Sequence, residues 1–132
     1  MSKTNIYKQS DYGEIQMGYI DAENQIHRTL GIQDYIVGRV SADQNVYMNT
    51  RYNEQELGQY TQDGRIRSNG LFEGGDIGWV EPDGVVVQAG LILGEEDVGR
   101  VEGEKQDAGA AVLLLLFLPQ EIEENRRQAR RY

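Results

Sequence analysis

The sequence has no cysteine, a single histidine (His27), two prolines and one tryptophan among its 132 residues. The lack of cysteine excludes disulfides, thiolate nucleophiles and Cys-ligated zinc, and one histidine excludes a multi-His metal site within one subunit. Basic residues are also scarce, with 13 Lys and Arg against 22 Asp and Glu, for a net charge of −9. This balance argues against a nucleic-acid binder or an anionic-membrane binder, since both need basic patches.

Long hydrophobic runs are missing as well. The longest, Ala110–Leu118, has nine residues, whereas a membrane-spanning helix needs about 20. No apolar segment follows Met1–Asn5, so we expect no secretory signal and a cytoplasmic protein that binds no membrane. The length suits one domain. We place this domain at residues 1–119 and a helical tail at 120–132.

An internal repeat of about 20 residues organises the chain. Glycines recur at this interval, each preceded by an apolar residue and followed two positions later by another. The glycines are Gly18, Gly38, Gly58, Gly78 and Gly99. The apolar residues two positions later are Ile20, Val40, Tyr60, Val80 and Val101. Two further apolar columns are Ile6, Ile26, Val46, Ile66 and Val86; and Tyr12, Ile32, Tyr52, Phe72, Ile92 and Val112. Such a period predicts one supersecondary unit repeated along the chain.

Each unit is predicted to be a β-hairpin. In the clearest, Pro82 and Asp83 suit the central positions of a type I turn, and Gly84 can take the left-handed conformation of a G1 bulge. This turn aligns the apolar columns across the two strands. The predicted cross-strand pairs are Ile20 with Ile26, Val40 with Val46, Tyr60 with Ile66, and Val80 with Val86.

The other turns match this pattern less uniformly. Asp63-Gly64 repeats it, and Asn24 tolerates the left-handed position. Gln44 tolerates the left-handed conformation less well, so we expect a longer loop in the second unit. Residues 102–107 suggest an expanded polar tip. The repeated glycine indicates a close backbone approach between hairpins, with a simple strand kink as the alternative.

The pattern resembles bacterial four-fold beta-flower proteins, whose hairpins surround an approximate rotation axis. The residues that carry the resemblance are Ile77-Gly78-Trp79-Val80 with Asp83-Gly84-Val85-Val86, Leu57-Gly58-Gln59-Tyr60 with Asp63-Gly64-Arg65-Ile66, Val37-Gly38-Arg39-Val40, and the run Ala110–Leu116. We therefore predict an all-β fold of about eleven antiparallel strands, built from repeated hairpins around an axis or as a closed meander, with a short C-terminal helix. The chain has five hairpin signals and an N-terminal half-unit, whereas the family has four units. The resemblance transfers no catalytic residues.

The C-terminal segment differs from the repeats. We expect Val112–Leu118 to be a strand that ends at Pro119 and is apolar on both faces, so that a second subunit or a partner protein covers one face. Beyond it, Glu121, Glu123 and Glu124 precede Arg126 and Arg127, an order that complements a helix dipole. A solvated terminal helix is the main interpretation, and a basic end that contacts an acidic partner is the alternative.

Few residues suggest chemistry. His27 follows an inward residue on a strand, so we expect it on the surface, without a nucleophile beside it. Asp43, Asp63 and Asp83 recur at hairpin tips, where turn geometry explains them better than calcium, which needs several oxygens in one stretch. Gly74-Gly75 lacks the lysine and helix of a phosphate loop.

Trp79 is a candidate ligand-binding residue, because cell-wall-binding modules also use hairpin repeats near 20 residues. Those modules repeat their aromatic residues to build cages. Here the positions equivalent to Trp79 hold Tyr19, Arg39, Gln59 and Arg100. We therefore predict a non-enzymatic structural or interaction module, a self-associating scaffold or adaptor that presents loops, without catalytic, cofactor-binding or metal-binding residues. The alternatives are a small-ligand or glycan-binding module and, third, an enzyme that uses His27 beside a carboxylate.

Overall fold

The computed structural model describes residues 3–69, 76–90 and 94–129. Ten antiparallel strands follow one another around a closed barrel, and the last pairs with the first. They are β1 (Thr4–Ser10), β2 (Gly13–Ile20), β3 (Gln25–Leu30), β4 (Gln33–Val40), β5 (Asn45–Asn49), β6 (Glu54–Tyr60), β7 (Arg65–Ser68), β8 (Asp76–Val80), β9 (Val85–Ala89) and β10 (Glu95–Glu102). The predicted closed meander of repeated hairpins is confirmed, with ten strands where about eleven were expected.

The hairpin registers follow the turn chemistry. Val80 pairs with Val86, and the Glu81 N–H donates to the Val85 carbonyl at 2.8 Å. Gly84 takes the left-handed conformation with a φ of 91°. The other three predicted pairs are confirmed too: Ile20 with Ile26, Val40 with Val46, and Tyr60 with Ile66.

The longer loop expected in the second hairpin is wrong. Gln44 takes the left-handed conformation with a φ of 67°, close to the 65° of Asn24 in the first hairpin. The reason is a hydrogen bond that recurs between hairpins: the Tyr60 N–H donates to the Gln44 carbonyl at 3.1 Å, as the Val40 N–H donates to the Asn24 carbonyl at 2.9 Å. The same bond follows Gly64 and Gly84, so the tip geometry belongs to the barrel and overrides the preference of Gln44.

The repeated glycines lie next to β-bulges. Ile66 pairs with Gly78 but Arg67 pairs with Asp76, so Ile77 is an extra residue in its strand. Equivalent register shifts precede the glycines of the other four units. A bulge disturbs the alternation of faces and bends the strand, which explains why an apolar residue always stands before the glycine.

The prediction that Val112–Leu118 is a strand is wrong, and so is the prediction of an expanded hairpin tip at 102–107. The chain leaves β10 and forms α1 (Gln106–Val112), a π-helical segment (Leu113–Phe117) and α2 (Leu118–Ala129), together called the central helix. This helix starts well before residue 120, the predicted start of the tail. Pro119 lies inside it as the second residue of α2, and the wide π-helical turn ends at Phe117, just before α2 begins. Pro119 has no N–H to donate to an earlier carbonyl.

The barrel wall surrounds the first half of the central helix. Ala110 to Phe117 are all at most 7% exposed, and they form one core cluster with the inward strand residues. A helix that is apolar all round needs burial on every side, and the barrel lumen supplies it. No second subunit is required to cover the segment. The apolar character of Val112–Leu118 is therefore not evidence for an oligomer.

The barrel has two different ends. At the hairpin end lie the turns 21–24, 41–44, 61–64 and 81–84, together with the start of α1. Lys105 closes this end, where its Nζ donates to Asn24 Oδ1 at 2.6 Å and to the Asp21 carbonyl at 3.2 Å. At the rim end lie the connections between β1 and β2, β3 and β4, and β5 and β6, and α2 emerges there.

Candidate functional site

Three large apolar side chains project into solvent at the rim end. Tyr12, Ile32 and Tyr52 are 100%, 103% and 86% exposed, and we call them the apolar rim. They occupy one position of the repeat, in three successive connections. The same sequence column continues with Phe72 and Ile92, which lie outside the described residues, whereas its last member, Val112, is buried in the central helix. The repeat predicts that this column is apolar, but not that it is exposed.

The rim turns hold themselves together without these side chains. Ser10 Oγ donates to the Gly13 carbonyl at 2.7 Å and accepts from the Tyr12 N–H at 3.2 Å. Thr50 Oγ1 likewise donates to the Asn53 carbonyl at 2.8 Å. Gly31 has a φ of 66° and takes the left-handed position in its turn. The Tyr12 and Ile32 side chains are therefore free to contact something outside the domain, whereas the Arg51 guanidinium already lies over the Tyr52 ring, 5.3 Å from its centroid.

Two of the carboxylates beside the rim are paired with arginines. Glu14 and Glu54 each follow a rim residue by two positions, and Arg100 and Arg39 respectively donate to them, with a shortest N–O distance of 2.7 Å in both pairs. These hydrogen bonds lower the pKa of both carboxyl groups. Asp34, the third in this series, accepts from the Tyr19 hydroxyl at 2.9 Å. Glu14 and Glu54 are thus paired with arginines, whereas Asp34 accepts only from hydroxyl groups. Asp11 and Arg51, next to Tyr12 and Tyr52, form no ion pair within the ranges that the structure describes.

Charged side chains tie α2 to the inner wall of the mouth. Lys8 pairs with Glu121, and Arg28 Nη1 donates to Gln120 Oε1 at 3.2 Å. Arg28 lies 3.6 Å from Glu124 and its side chain is only 7% exposed. No side chain of α2 is buried among the described residues, so α2 meets the barrel through these polar contacts where it leaves the lumen.

His27 points outward, as predicted, but neighbouring side chains cover it. Its ring stacks on Tyr19, with centroids 4.4 Å apart, and its Nε2 lies 2.7 Å from Asp21 Oδ2, leaving 15% of the side chain exposed. Burial favours a higher pKa for Asp21, but the hydrogen bonds from His27 and from the backbone N–H groups of Gln25 and Glu23 outweigh it and lower the pKa. No serine or threonine hydroxyl bonds to this ring within the described ranges, so the cluster lacks a nucleophile.

An open cleft of about 570 Å³ lies at the hairpin end. It separates the tips of the β6–β7 and β8–β9 hairpins beside the start of α1. Its lining residues are Gln62, Asp63, Arg65, Asp76, Trp79, Val80, Glu81, Pro82, Gln106 and Asp107. The Trp79 Nε1–H donates to Glu81 Oε1 at 3.1 Å. Burial, and then the charge of Asp63, raise the pKa of Asp107.

Two of the three hairpin-tip aspartates, Asp63 and Asp83, have structural partners, whereas Asp43 forms no hydrogen bond or ion pair within the described ranges. Asp83 Oδ1 accepts from the Val85 N–H at 3.2 Å, and Asp63 accepts from the Thr61 hydroxyl. Within the part of the chain that the structure describes, no three His, Cys, Asp or Glu side chains are arranged to hold a metal ion. No described helix is long and apolar enough to cross a membrane. The Gly74-Gly75 pair lies outside the described residues.

Comparisons of the chain with family models, with curated proteins and with solved structures gave no match.

Proposed function

We propose that this protein is a non-enzymatic interaction module that self-associates through its apolar rim. The observation that carries the proposal is the repetition of a fully exposed large apolar side chain at Tyr12, Ile32 and Tyr52. Single exposed apolar residues are ordinary on protein surfaces, but several large ones at one end of a domain are a feature of interaction sites. Here the group recurs with the period of the fold and at one end of the barrel.

Half-exposed apolar side chains extend this surface toward the mouth. Ile15 lies opposite the inward-facing Lys8, and Tyr35 lies opposite Arg28; Ile15 and Tyr35 are 48% and 47% exposed. Since directly paired residues of an antiparallel ladder share a face, both line the inner edge of the mouth. The rim and this edge together offer aromatic and aliphatic side chains, and aromatic residues are enriched in protein–protein interfaces.

A second copy of the chain is the occupant that we propose. The domain carries a net charge of −9, but the pairing of Glu14 and Glu54 with arginines removes two carboxylates beside each rim from the repulsion between copies. The remaining charge still repels, so the apolar side chains of the rim must supply the attraction. The proposal keeps the scaffold or adaptor role and the cytoplasmic location predicted from the sequence, and it moves the contact surface from Val112–Leu118 to the rim. Membership of the beta-flower group stays a prediction.

Light scattering after size-exclusion chromatography tests the proposal. We expect the parent protein to form an oligomer at about 100 μM, a range in which weak interfaces are populated. The variant Tyr12→Ser/Ile32→Ser/Tyr52→Ser should be monomeric, with an unchanged circular dichroism spectrum. Ile36→Ser is the matched control, because Ile36 is a half-exposed apolar residue on a strand instead of a turn, and it should associate like the parent.

Salt provides an independent measurement. Because added salt screens the repulsion between two acidic copies, the association should tighten between low and physiological ionic strength. A monomeric parent would overturn self-association, and so would a triple variant that still associates. A monomeric parent that floats with zwitterionic lipid vesicles through the rim would identify a lipid surface as the occupant instead.

A further inference from the structure

The cleft at the hairpin end is a candidate binding site separate from the apolar rim. It lies between two adjacent hairpin tips, and both the polar side chains and an aromatic ring face its open volume of about 570 Å³. Ligand pockets fall in this size range, and they combine apolar surface with a few polar groups that fix orientation.

Trp79 occurs in one repeat unit only. The four equivalent positions hold Tyr19, Arg39, Gln59 and Arg100, and the barrel closes with all of them in place. Arg65, which lies opposite Trp79 on the neighbouring strand, is likewise the only arginine in its column. Side chains that the fold requires recur with the repeat, as the bulge glycines do. The combination of Trp79 with Arg65 therefore has no role in barrel formation that the other units share.

The arrangement of the tryptophan is already fixed. The Nε1–H of Trp79 donates to Glu81 Oε1 at 3.1 Å, which sets the ring orientation, and Trp79 is half-buried. Arg65 lies 3.5 Å from both Asp63 and Asp76, and 60% of its side chain is exposed, so its donors are accessible to a ligand. A bonded tryptophan ring loses less conformational entropy when a ligand binds.

The remaining lining groups alternate in hydrogen-bonding character. Gln62 and Gln106 bring amides that both donate and accept, Arg65 donates, and Asp63 and Asp76 accept. The lining contains four carboxylates and one arginine, so an anionic ligand is disfavoured. Three of these carboxylates already have partners, since Glu81 accepts from the Trp79 indole and Asp63 and Asp76 lie beside Arg65. A flat aromatic face next to such mixed donors and acceptors matches a neutral ring that has an apolar C–H face and several hydroxyl groups.

We propose that this cleft binds a neutral sugar, with one ring packed on Trp79 and its hydroxyl groups bonded to Arg65 and to the cleft amides. The site is independent of the proposed self-association, because it lies at the opposite end of the barrel. Binding at the hairpin end leaves the rim free, so a single domain would join a glycan to an assembled scaffold.

Nuclear magnetic resonance titration tests the assignment, since the single tryptophan gives one indole N–H signal. The probes are maltose, cellobiose, lactose and N,N′-diacetylchitobiose, each up to about 10 mM, which detects dissociation constants in the millimolar range. We expect at least one of them to shift the Trp79 indole signal saturably. Arg65→Ala should weaken that binding at least about tenfold, the equivalent of one lost charged hydrogen bond, without changing the thermal midpoint.

Two further variants separate binding from folding. Trp79→Ala should abolish sugar-induced shifts elsewhere in the cleft, and Tyr47→Ala, which removes an outward aromatic side chain from another unit, should leave binding unchanged. The absence of a saturable shift with all four sugars overturns the proposal. Equal binding by Trp79→Ala, or shifts produced by choline and by no sugar, would overturn it as well, the latter in favour of a cation site. None of these outcomes depends on the oligomeric state, so failure here is distinct from failure of the rim proposal.

Discussion

Gly58 lies against Leu115 of the central helix. A Cβ atom placed on Gly58 would lie 3.0 Å from Leu115 Cδ1 and 2.1 Å from the Arg67 carbonyl oxygen of the adjacent strand. The sequence predicts that the repeated glycine allows a close approach between hairpins. The close approach is real, but its partners are the neighbouring strand's carbonyl and the central helix, which Gly18, Gly78 and Gly99 contact in the same way.

Replacing Gly58 with alanine should therefore destabilise the domain by steric overlap. The added methyl group cannot be relieved by rotating a side chain, because its nearest neighbour is backbone oxygen. We expect Gly58→Ala to lower the free energy of unfolding by about 1–3 kcal/mol, the typical cost of overpacking. Urea denaturation followed by circular dichroism measures the change.

Gly31 provides the control for this substitution. It has a left-handed φ of 66°, and a Cβ atom added there would meet no atom within 4 Å, so Gly31→Ala should cost only the backbone strain, about 1 kcal/mol. If Gly58→Ala proved as mild as Gly31→Ala, or milder, the tight contact with the Arg67 carbonyl would be refuted.

Both faces of the segment Leu113–Leu116 should be equally sensitive to polar substitution. The strand interpretation predicts that one pair of substitutions unfolds the domain and that the other changes its association. All four leucines are instead at most 7% exposed within the barrel. Leu113→Ser/Leu115→Ser and Leu114→Ser/Leu116→Ser should each unfold the domain, since each truncated leucine costs about 2–5 kcal/mol and total stability is about 5–15 kcal/mol.

A control for these variants lies on the same helix. Ile122 is 54% exposed on α2, so Ile122→Ser should change the free energy of unfolding by less than about 0.5 kcal/mol. Circular dichroism and thermal unfolding of the three proteins measure the difference. A folded, stable protein from either leucine pair would mean that the helix is not enclosed by the barrel.

The hairpins are predictable from the sequence because their determinants are local. Pro82, Asp83 and Gly84 set a turn type, the turn fixes the register, and the register aligns Val80 with Val86. The repeat extends this inference to four hairpins, whereas the chain after β10 enters α1 instead of forming a fifth. The turn at Gln44 is not predictable in this way, because a hydrogen bond from the next hairpin, a non-local contact, decides its conformation.

The central helix is not predictable from the same local signals. A short run that is apolar at every position has no period, so a buried strand and a buried helix produce the same pattern. The choice depends on the space inside a closed ten-stranded barrel, which strand side chains alone do not fill. The Ala and Leu content of Ala108–Leu116 favours a helix, and this is the signal that the sequence offers. The exposure of the rim residues is not predictable either, because it depends on which end of each unit becomes a turn.

Asp21 should make a pH-dependent contribution to stability. Its carboxylate accepts from the backbone N–H groups of Glu23 and Gln25 at 2.9 Å and lies 2.7 Å from His27 Nε2, and its pKa is lowered in the folded state. A carboxyl group with a lowered folded pKa stabilises the fold above its unfolded pKa, near 3.9, and this stabilisation is lost as the pH falls through the folded value.

The variant Asp21→Asn isolates this contribution. At pH 6 we expect it to be less stable than the parent by about 1–2 kcal/mol, the value of hydrogen bonds to a charged group. The two proteins should converge in stability as the pH falls below about 4. Denaturation curves at a series of pH values measure the difference, and a gap that stays constant down to the lowest pH would contradict the assignment.

Arg28 is a buried cation with incomplete pairing. Its side chain is 7% exposed, its Nε has no hydrogen-bond partner, and its carboxylate partner, on the half-exposed Glu124, lies 3.6 Å away. Such a charge is often less stable than an apolar side chain of similar volume. The repeat itself supplies the alternative, because Met48 occupies the equivalent position one unit later and packs against the core.

Replacing Arg28 with methionine should therefore stabilise the domain. Methionine retains contact with the Phe117 ring, above which the guanidinium carbon now lies at 5.6 Å from the centroid. We expect Arg28→Met to raise the free energy of unfolding by about 1 kcal/mol, and Arg28→Ala to lower it, because alanine leaves a cavity beside Phe117. Guanidinium chloride denaturation of the two variants at pH 7 decides the matter. A loss of stability in Arg28→Met would show that the contacts of Arg28 with Gln120 and Glu124 outweigh the desolvation of its charge, and that the barrel mouth depends on them to hold α2.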